Sequence, residues 1–441
     1  TNSKSWSVKN IFVIGLEPFN LALLRTIQSP DGYSFISLLD YDVAVHPPSG
    51  VIDFTGLLSA AEEQLAENAG AVDAIISYWD FPSSGLRPVL CRRHGLPGPA
   101  IEAVARCEHK YWSRLEQRRA VPELVPGFCA VDPFADDPLE QIDVPYPFWI
   151  KPVKAHSSYL GFMIHDERDF REAIPTIREN IHRFGDAFNA FLDLVEMPPE
   201  VARIGGNHCV AEQVISAGEQ CTLEGYVWQG DVVVYGVVDS VRSGKHKSSF
   251  SRYQYPSKLP ANIRERMIAA TKRVLDHIGY DNAPFNVEFY WDQDSDAIRL
   301  LEINTRISKS HSPLFWMVDG ATHQSVAIDL ALGRRPDFPH RRGRHALAAK
   351  FMLRVFEDAV VRRVPDDSHI QQLKQEFPDA MVRVLTKEGQ RLRHLHYQDS
   401  YSFELAEIFL GAEDEQTLLE KYRVAVETLP FELEPLEPAE A

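Results

Sequence analysis

Cysteine is scarce in this sequence, and the five cysteines among 441 residues form no C-x-x-C pair. An odd number of widely spaced cysteines argues against a disulfide framework or a zinc ribbon and fits a reducing compartment. Long apolar runs are also missing, since no stretch approaches the roughly 18 residues that a membrane span needs. The first residues lack the basic start and apolar core of a secretion signal. We therefore expect a soluble, cytoplasmic protein that has no membrane partner.

Several motifs of common enzyme classes are absent as well. The turn after the apolar run at 10–15 carries a single glycine, Gly15, where a dinucleotide-binding fingerprint needs several. The sequence has no G-x-x-x-x-G-K-[ST] loop, no H-E-x-x-H helix and no G-x-S-x-G elbow. These absences argue against a nicotinamide enzyme, a P-loop nucleotidase, a zinc protease and a serine hydrolase.

Positive charge is in the minority, because 46 Lys and Arg residues face 63 Asp and Glu residues and the formal net charge is -17. Such a balance disfavours binding to a nucleic-acid backbone or an anionic membrane, so we expect no nucleic-acid partner. The hydrophobic fraction of 44% and the charged fraction of 25% are typical of globular proteins. A chain of this length is expected to form two or three domains.

The beginning of the chain alternates between strand and helix patterns. Apolar runs predict strands at 10–15, 33–39 and 72–77, with a helix after the first of them. This alternation is typical of a Rossmann-like parallel sheet. A charged helix is expected over 101–119, just after a turn rich in Gly and Pro.

Strand patterns dominate the rest of the chain. Residues 148–153 and 162–164 predict a hairpin lid, and a helix over 261–278 is expected to end at Gly279. The predicted fold class is multidomain, with an α/β start, a central domain and a small C-terminal α+β domain. Further strands are expected at 209–215, 221–228, 232–238, 346–355, 381–386 and 402–410, and a closing helix at 415–428. The predicted domains are residues 1–105, 106–340 with a lid subdomain at about 120–210, and 341–441.

Acidic side chains occur inside two apolar strand patterns, at 284–291 and 298–306. Strand alternation puts Glu288 on the face opposite its apolar neighbours, and it puts Glu302 and Asn304 together on one face. Carboxylate and amide oxygens on adjacent strands suit Mg²⁺, which keeps the rest of its shell for water and substrate phosphates. We predict a metal site formed by Glu288, Glu302 and Asn304; a solvated strand face is the alternative.

This pair of strands resembles the ATP-grasp superfamily, in which a Glu on one strand and a Glu-x-Asn on the next hold magnesium ions. The resemblance implies a central, two-lobed ATP-grasp domain that binds ATP with Mg²⁺ or Mn²⁺. Lys151, at the end of a strand before the lid loop, is similar to the family's lid lysine, and Lys110 resembles an earlier lysine that reaches the nucleotide phosphates. A single surface lysine is more often only a solvated charge, so the hypothesis depends on the order of the two along the chain.

The segment at 211–219 resembles the family's hinge, which receives the adenine and the ribose. The resemblance assigns Glu212 and the backbone of Val214 or Ile215 to the adenine, and Glu219 to the ribose hydroxyls. Carboxylates and backbone groups can accept and donate the hydrogen bonds that this requires. An edge strand that runs into an ordinary turn is the alternative.

Further candidates lie in the lid loop and after the second acidic strand. The hydroxyls of Ser157 and Ser158 are candidates to touch phosphate. Arg306 resembles the family arginine that contacts the transferred phosphoryl group or the intermediate, and its guanidinium suits that task. His311 is a candidate to bind a substrate carboxylate or to help deprotonate an amine, although a structural histidine is nearly as common. The basic cluster, which comprises Arg242, Lys245, His246 and Lys247, either binds substrate or phosphate or forms a solvated loop.

The layout is similar both to biotin carboxylase and to the carboxylate-amine ligases of the same superfamily. Carboxylases carry a Glu directly before the His that follows the arginine, whereas Ser310 stands there in this sequence. A serine at its normal pKa cannot take up a proton from bicarbonate, so ligation is favoured. We predict an ADP-forming ligase that activates a small carboxylate, such as an amino acid, as an acyl phosphate and couples it to an amine. A carboxylase and a nucleotide-binding protein without turnover are the alternatives, and the sequence leaves open whether the chain forms a homodimer.

Overall fold

The computed structural model describes residues 7–47, 49–155, 158–243, 249–395 and 402–436. Its first part is a three-stranded parallel sheet surrounded by helices, which confirms the predicted Rossmann-like start. The elements are β1 (Lys9–Leu16), α1 (Pro18–Leu24), β2 (Tyr33–Asp40), α2 (Tyr41–Ala44), α3 (Phe54–Glu67), β3 (Ala74–Ile76), α4 (Ser83–Arg93) and α5 (Ile101–Glu108). The strand order is β2-β1-β3, so β1 is the central strand and its apolar run is buried.

The single helix expected over 101–119 is wrong, because two helices occupy this stretch. α5 ends at Glu108, and α6 (Lys110–Ala120) begins after His109, whose backbone is extended. The His109 ring caps α6 by accepting the N–H of Trp112 at 3.1 Å. A side chain thus satisfies one of the donors at the start of a helix, as capping residues do. The break places Lys110 at the first position of α6, where its N–H donates to the carbonyl of Val153 at 3.0 Å.

The second part, called the lid sheet, is a four-stranded antiparallel sheet. The predicted hairpin is confirmed, since Phe148 pairs with Ile164 and Ile150 pairs with Phe162. The elements are β4 (Phe128–Val131), β5 (Phe148–Pro152), β6 (Phe162–Ile164), α7 (Glu167–Asn180), α8 (His182–Leu192), α9 (Pro199–Ala202) and β7 (Cys209–Gln213). The strand order is β4-β7-β5-β6, and the amphipathic helix α7 packs against the apolar face through Phe170 and Ile177.

The third part contributes the first five strands of an eight-stranded sheet, called the large sheet. Its first elements are β8 (Glu219–Trp228), β9 (Asp231–Ser243), β10 (Ser249–Tyr255), α10 (Ala261–Ile278), β11 (Ala283–Asp292), β12 (Ala297–Asn304), α11 (Ser312–Asp319) and α12 (Gln324–Ala331). α10 packs its apolar residues into the main core and ends, as predicted, at Gly279, whose φ of 76° suits glycine. Short 3-10 turns lie at Pro122–Leu124, Pro138–Gln141, Lys309–His311 and Leu392–His394.

The strands after residue 340 extend the large sheet. The elements are β13 (Leu347–Val355), β14 (Ala359–Arg363), α13 (Asp367–Glu376), β15 (Met381–Val384), β16 (Phe403–Ala412), α14 (Glu415–Thr428) and β17 (Glu432–Pro435). β13 pairs with β10 through Tyr253 and Lys350, and the whole order is β12-β11-β8-β9-β10-β13-β16-β15. The domain boundaries at 105 and 340 stay predictions. No helix within the described ranges combines the length and the apolar character that crossing a bilayer requires.

Candidate active site

A cleft of about 2610 Å³ lies between the lid sheet and the large sheet, and it reaches Asp80 in the N-terminal part and Phe403 in the C-terminal part. Val214 does not line this cleft, and Ser157 lies outside the described residues. The predicted site residues that line the cleft are Lys110, Lys151, Ser158, Glu212, Ile215, Glu219, Glu288, Glu302, Asn304, Arg306 and His311. Residues from three parts of the chain therefore meet around one volume.

The two acidic strands place their polar side chains in adjacent rows. Glu288 of β11 lies directly opposite Glu302 of β12, and Asn286 lies opposite Asn304. Asn304 Nδ2 donates to Asn286 Oδ1 at 2.9 Å, and Asn286 Nδ2 donates to the carbonyl of Arg306 at 3.0 Å. The first bond uses the Asn304 amide as a donor, so its Oδ1 remains available as a metal ligand.

The carboxylates of Glu288 and Glu302 have opposite pKa shifts. Burial, followed by the charge of Glu302, raises the pKa of Glu288 well above its usual range. Burial also opposes ionisation of Glu302, but the positive charges of Lys110, Lys154 and Lys151 outweigh it and lower the pKa of that carboxyl. Two acidic groups are thus held together in an enclosed site, which is the arrangement that a divalent cation relieves.

The metal-binding set consists of two carboxylates and one amide. No cluster of three or more His, Cys, Asp and Glu side chains suited to a metal ion occurs in the described part of the chain. Mg²⁺ does not require such a cage, because it commonly takes one or two carboxylates and completes its shell with water and substrate phosphates. The donor set of Glu288, Glu302 and Asn304 therefore fits Mg²⁺ better than zinc, which prefers nitrogen and sulfur ligands.

The two predicted lysines each contact one carboxylate of the cleft. Lys110 Nζ donates to Glu302 Oε1 at 2.8 Å, and Lys151 Nζ lies 3.2 Å from Glu212 Oε2. Burial lowers the pKa of Lys151, although the charge of Glu212 opposes that shift. Burial also acts to lower the pKa of Lys110, but the contact with Glu302 outweighs burial and raises that pKa. Both lysines lie near enough to Glu302 for their charges to lower the pKa of its carboxyl.

Glu212 is held by a cation that the sequence did not reveal. Arg114 of α6 donates to both carboxylate oxygens, from Nε at 3.0 Å and from Nη2 at 3.1 Å. Burial raises the pKa of Glu212, but Arg114 and then Lys151 outweigh it and lower that pKa to about 2. Arg114 also donates to the carbonyls of Leu300 and Leu301 on β12. The position of Arg114, one helical turn after Lys110, is the only signal in the sequence that could have pointed to it.

The hinge residues connect the two sheets. β7 of the lid sheet ends at Gln213, and β8 of the large sheet begins at Glu219. Gly218 has a φ of 89°, and a Cβ atom there would lie 2.1 Å from the carbonyl of Trp291, so this close approach requires glycine. Ile215 and Glu219 line the cleft on either side of it.

A second buried ion pair joins the lid loop to α5. Lys154 Nζ donates to Glu108 Oε2, and both side chains are buried. The hydroxyl of Thr305, which follows β12, donates to the other oxygen of Glu108 at 2.7 Å. Lys154 lies three positions after Lys151, and this spacing is the signal that sequence reasoning passed over.

Arg306 is fixed by a residue from the N-terminal part. Its Nε and Nη2 donate to Asp80 Oδ1 at 2.8 and 2.5 Å. Burial opposes the charge of Arg306, but Asp80 outweighs it and raises the pKa of the guanidinium. Asp80 follows β3 by four residues. No local pattern in the sequence connects it with Arg306.

His311 belongs to the 3-10 turn after β12 and is nearly enclosed. Its Nδ1 lies 3.0 Å from Oε1 of Glu224, which is completely buried in β8. Burial lowers the pKa of His311 well below its usual range. Its neighbour Lys309 lies with Nζ 4.8 Å from the ring centre of Trp79, and burial lowers the pKa of this lysine to about 8.

The basic cluster can be described only in part. The Arg242 guanidinium stacks on Phe250 at 3.9 Å and donates to Gln220 Oε1 at 3.2 Å. Arg242 lines the cleft. The other members, Lys245, His246 and Lys247, lie outside the described residues.

Residues 144–313 match the family model of the ATP-grasp domain. The chain contains an ATP-grasp domain. The match includes β11, β12 and the lid lysine, which confirms the resemblance that these residues suggested. The ATP-grasp domain thus comprises most of the cleft, and the N-terminal part adds Lys110, Arg114 and Asp80 to it.

Proteins with other chemistries share this fold. Urea amidolyase of Saccharomyces cerevisiae is 22% identical over 422 residues, which are 93% of this chain but 21% of that protein, so the chain spans about a fifth of that relative. L-amino acid ligase from Bacillus licheniformis has a TM-score of 0.68 at 15% identity, covering 96% of this chain and 98% of that one. The biotin carboxylase domain of Hydrogenobacter thermophilus 2-oxoglutarate carboxylase, in complex with MgADP and bicarbonate, has a TM-score of 0.64 at 18% identity, covering 97% and 91%.

Proposed function

We propose that this protein is an ATP- and Mg²⁺-dependent ligase that activates a small carboxylate as an acyl phosphate and joins it to an amine. The observation that carries the proposal is the pairing of Glu288 with Glu302 in a cleft that also holds two lysines and Arg306. Phosphoryl transfer needs little covalent work from a protein beyond positioning the phosphates and neutralising their charge. This cleft offers groups for both tasks.

Each charged group has a proposed task in phosphoryl transfer. Glu288, Glu302 and Asn304 would hold Mg²⁺, which when bound neutralises charge on phosphate oxygens. Lys151 of the lid sheet and Lys110 of α6 bind the phosphates, and Arg306 presents its guanidinium to the transferred phosphoryl group. The contact between Arg306 and Asp80 keeps that guanidinium in place before substrate arrives.

The hinge would receive the nucleoside. Ile215 and Glu219 line the end of the cleft beside β7, where a backbone group can pair with adenine and a carboxylate with ribose hydroxyls. Glu212 is already engaged by two cations, so its remaining acceptor capacity is what it can offer an adenine amino group. Ser158 lies in the loop after β5 and lines the cleft, and its hydroxyl is the proposed contact to phosphate when the lid closes.

A carboxylase reaction is the second candidate, and the likeness to the biotin carboxylase domain favours it. Against it stands Ser310, which occupies the position of the carboxylase base. Lys350 donates to its hydroxyl at 3.0 Å, and a serine at its normal pKa cannot take the place of that base towards bicarbonate. The likeness to L-amino acid ligase, which extends over 96% of this chain, supports the ligase.

The test is a substrate panel that follows ADP release. Purified protein is incubated with ATP, Mg²⁺ and pairs of amino acids or other small acids and amines. We expect ADP formation that depends on one acid, is lost in the presence of a chelator, and yields a hydroxamate when hydroxylamine replaces the amine. Turnover that needs bicarbonate and biotin but no amine would instead establish the carboxylase.

A further inference from the structure

A buried carboxylate lies directly behind the histidine of the cleft. Glu224 has no exposed surface, and its Oε1 accepts the backbone N–H of Ser308 at 3.0 Å. The same oxygen lies 3.0 Å from His311 Nδ1. Three separate elements meet here: the middle of β8, the loop after β12 and the 3-10 turn that follows. No sequence motif marks this arrangement.

The contacts determine which ring nitrogen of His311 carries the proton. Because Ser308 N–H can only donate, Glu224 Oε1 must act as an acceptor. An unprotonated Oε1 beside His311 Nδ1 requires that Nδ1 be the protonated nitrogen. This holds when Glu224 is ionised and when it carries its proton on Oε2. A proton on Oε1 would be donated to Nδ1 and would reverse the tautomer, and the ring resonances described below distinguish that case.

The second oxygen of Glu224 is enclosed by another histidine. His323 Nδ1 lies 3.6 Å from Oε2, but His323 Nε2 donates to the Ser308 carbonyl at 3.0 Å. Burial lowers the pKa of His323 to about 3, so the ring is neutral and its Nδ1 accepts the hydroxyl of Tyr235 at 3.2 Å. His323 thus leaves Oε2 without a donor, and Oε2 has no hydrogen-bond partner among the described residues. The histidine that Glu224 can orient is therefore His311.

His311 has a free nitrogen on the side of the cleft. Among the described residues, no hydrogen bond reaches its Nε2, and the residue lines the cleft together with Arg306 and Tyr253. The ring makes an edge contact with Tyr253 at 5.3 Å. The charged groups that face the pair are Arg306, Glu288 and Lys350, from the loop after β12, from β11 and from β13. Burial keeps His311 unprotonated before reaction, with its pKa well below the usual range.

We propose that Glu224 is a positioning residue that holds His311 with Nδ1 protonated, so that Nε2 accepts the proton of an attacking primary amine. This inference rests on the proposed ligase function. The amine nitrogen attacks the acyl carbon and forms the C–N bond, and the C–O bond to phosphate breaks with its electron pair leaving on phosphate. The nitrogen that has attacked then loses one proton to His311 Nε2. The resulting imidazolium releases this proton to solvent.

The test compares two nucleophiles on the same acyl phosphate. Hydroxylamine is weakly basic and attacks without help from a base, whereas an amino acid amine needs one. In Glu224→Met the ratio of amide to hydroxamate should fall by about 100-fold, because general-base catalysis contributes this much. In Glu224→Gln the amide oxygen still accepts from Ser308 and His311, so the ratio should stay within about threefold of the original protein. The control is Asp319→Asn, which changes another fully buried carboxylate, one that accepts the backbone N–H of Arg341. This variant should leave the ratio of amide to hydroxamate unchanged.

Nitrogen-15 NMR of the histidine rings gives a second, independent readout. Resonances of His311 are assigned by their loss in His311→Asn, and we expect a protonated Nδ1 and a bare Nε2. A proton on Nε2, or equal losses of amide and hydroxamate in Glu224→Met with a normal ratio, contradicts the proposal. If no acid gives hydroxamate in the unaltered protein, the ligase function fails, and the ring resonances still decide the position of the proton.

Discussion

The two sides of the cleft treat buried carboxylates differently. On the lid side, Glu108 contacts Lys154, and Glu212 contacts both Arg114 and Lys151. On the strand side, neither Glu224 nor Glu288 forms a salt bridge with a Lys or Arg side chain of the described residues. Glu302 belongs to neither group, since it is a proposed metal ligand that also contacts Lys110. A carboxylate enclosed between fixed cations, such as Glu212, contributes mainly to stability, whereas a carboxylate without them can respond to a metal ion or a proton. The comparison predicts that equivalent substitutions have different consequences on the two sides.

The largest effect is expected when the metal pair is broken. Glu288→Gln keeps the shape of the side chain but removes the negative charge that faces Glu302. We expect ADP formation at saturating ATP to fall by about 10³-fold, as when a main electrostatic contact of a transition state is removed. Steady-state assays over a range of Mg²⁺ concentrations measure this. Glu357→Gln, at an exposed position, is the control. Retention of normal activity by Glu288→Gln would remove the metal site from the proposal.

On the lid side, the corresponding change should act on stability. Glu212→Gln leaves the guanidinium of Arg114 buried without its counter-charge. Breaking such a buried pair costs about 3 kcal/mol of unfolding free energy, which urea denaturation can measure. The exposed pair of Glu172 and Arg168 provides the control, because Glu172→Gln should change stability by less than about 0.5 kcal/mol. If Glu212→Gln and Glu172→Gln were equally stable, the pair of Glu212 and Arg114 would not contribute to the stability of the fold.

His109, the cap of α6, tests how a buried base without a counter-charge responds to pH. Burial lowers the pKa of His109 to about 4, while its unfolded value is near 6.5. As the pH falls below 6.5, the unfolded chain binds a proton that the folded chain does not, so stability is lost. Between pH 7 and pH 5 this group should remove about 2 kcal/mol. In His109→Asn, whose side chain can still cap the helix, that part of the pH dependence should disappear.

The measurement is a set of urea denaturation curves at pH 5, 6 and 7. His165→Asn, which changes an exposed histidine, serves as the control and should keep the original pH dependence. An unchanged slope in His109→Asn would mean that other groups account for the loss at low pH.

The part of the site that could be predicted from the sequence is the part governed by local geometry. Because strand side chains alternate, the opposition of Glu288 and Glu302 followed from their spacing alone. Contacts between distant segments have no such rule. Asp80 meets Arg306 across 226 positions, and Glu224 meets His311 through packing of the loop after β12. One sequence offers no signal for such pairs.

Fold prediction shows the same limit. The order of strands and helices could be inferred from period and turn residues, but the pairing of strands far apart could not. β13 joins β10 through Tyr253 and Lys350, so the C-terminal strands extend the large sheet. The break at His109 was missed because its cap is a side-chain contact with Trp112, and residues 101–119 otherwise keep a helical pattern.

The smallest expected effect is a gain in stability on the strand side, opposite in sign to the loss expected for Glu212→Gln on the lid side. Without a divalent cation, burial and the charge of Glu302 raise the pKa of Glu288, so this carboxyl takes up a proton on folding at a free-energy cost that Glu288→Gln removes. We expect the variant to be about 1 kcal/mol more stable than the original protein in a chelator at neutral pH, since a carboxyl whose pKa is raised in the folded state lowers stability above its unfolded pKa. Added Mg²⁺ should then stabilise the original protein and leave the variant unchanged, because a ligand stabilises only the state that binds it. Thermal denaturation of both proteins with and without Mg²⁺ measures the crossover. If Glu288→Gln destabilised the protein as Glu212→Gln is expected to do, the two sides of the cleft would not differ, and the carboxylates of β11 and β12 would be structural.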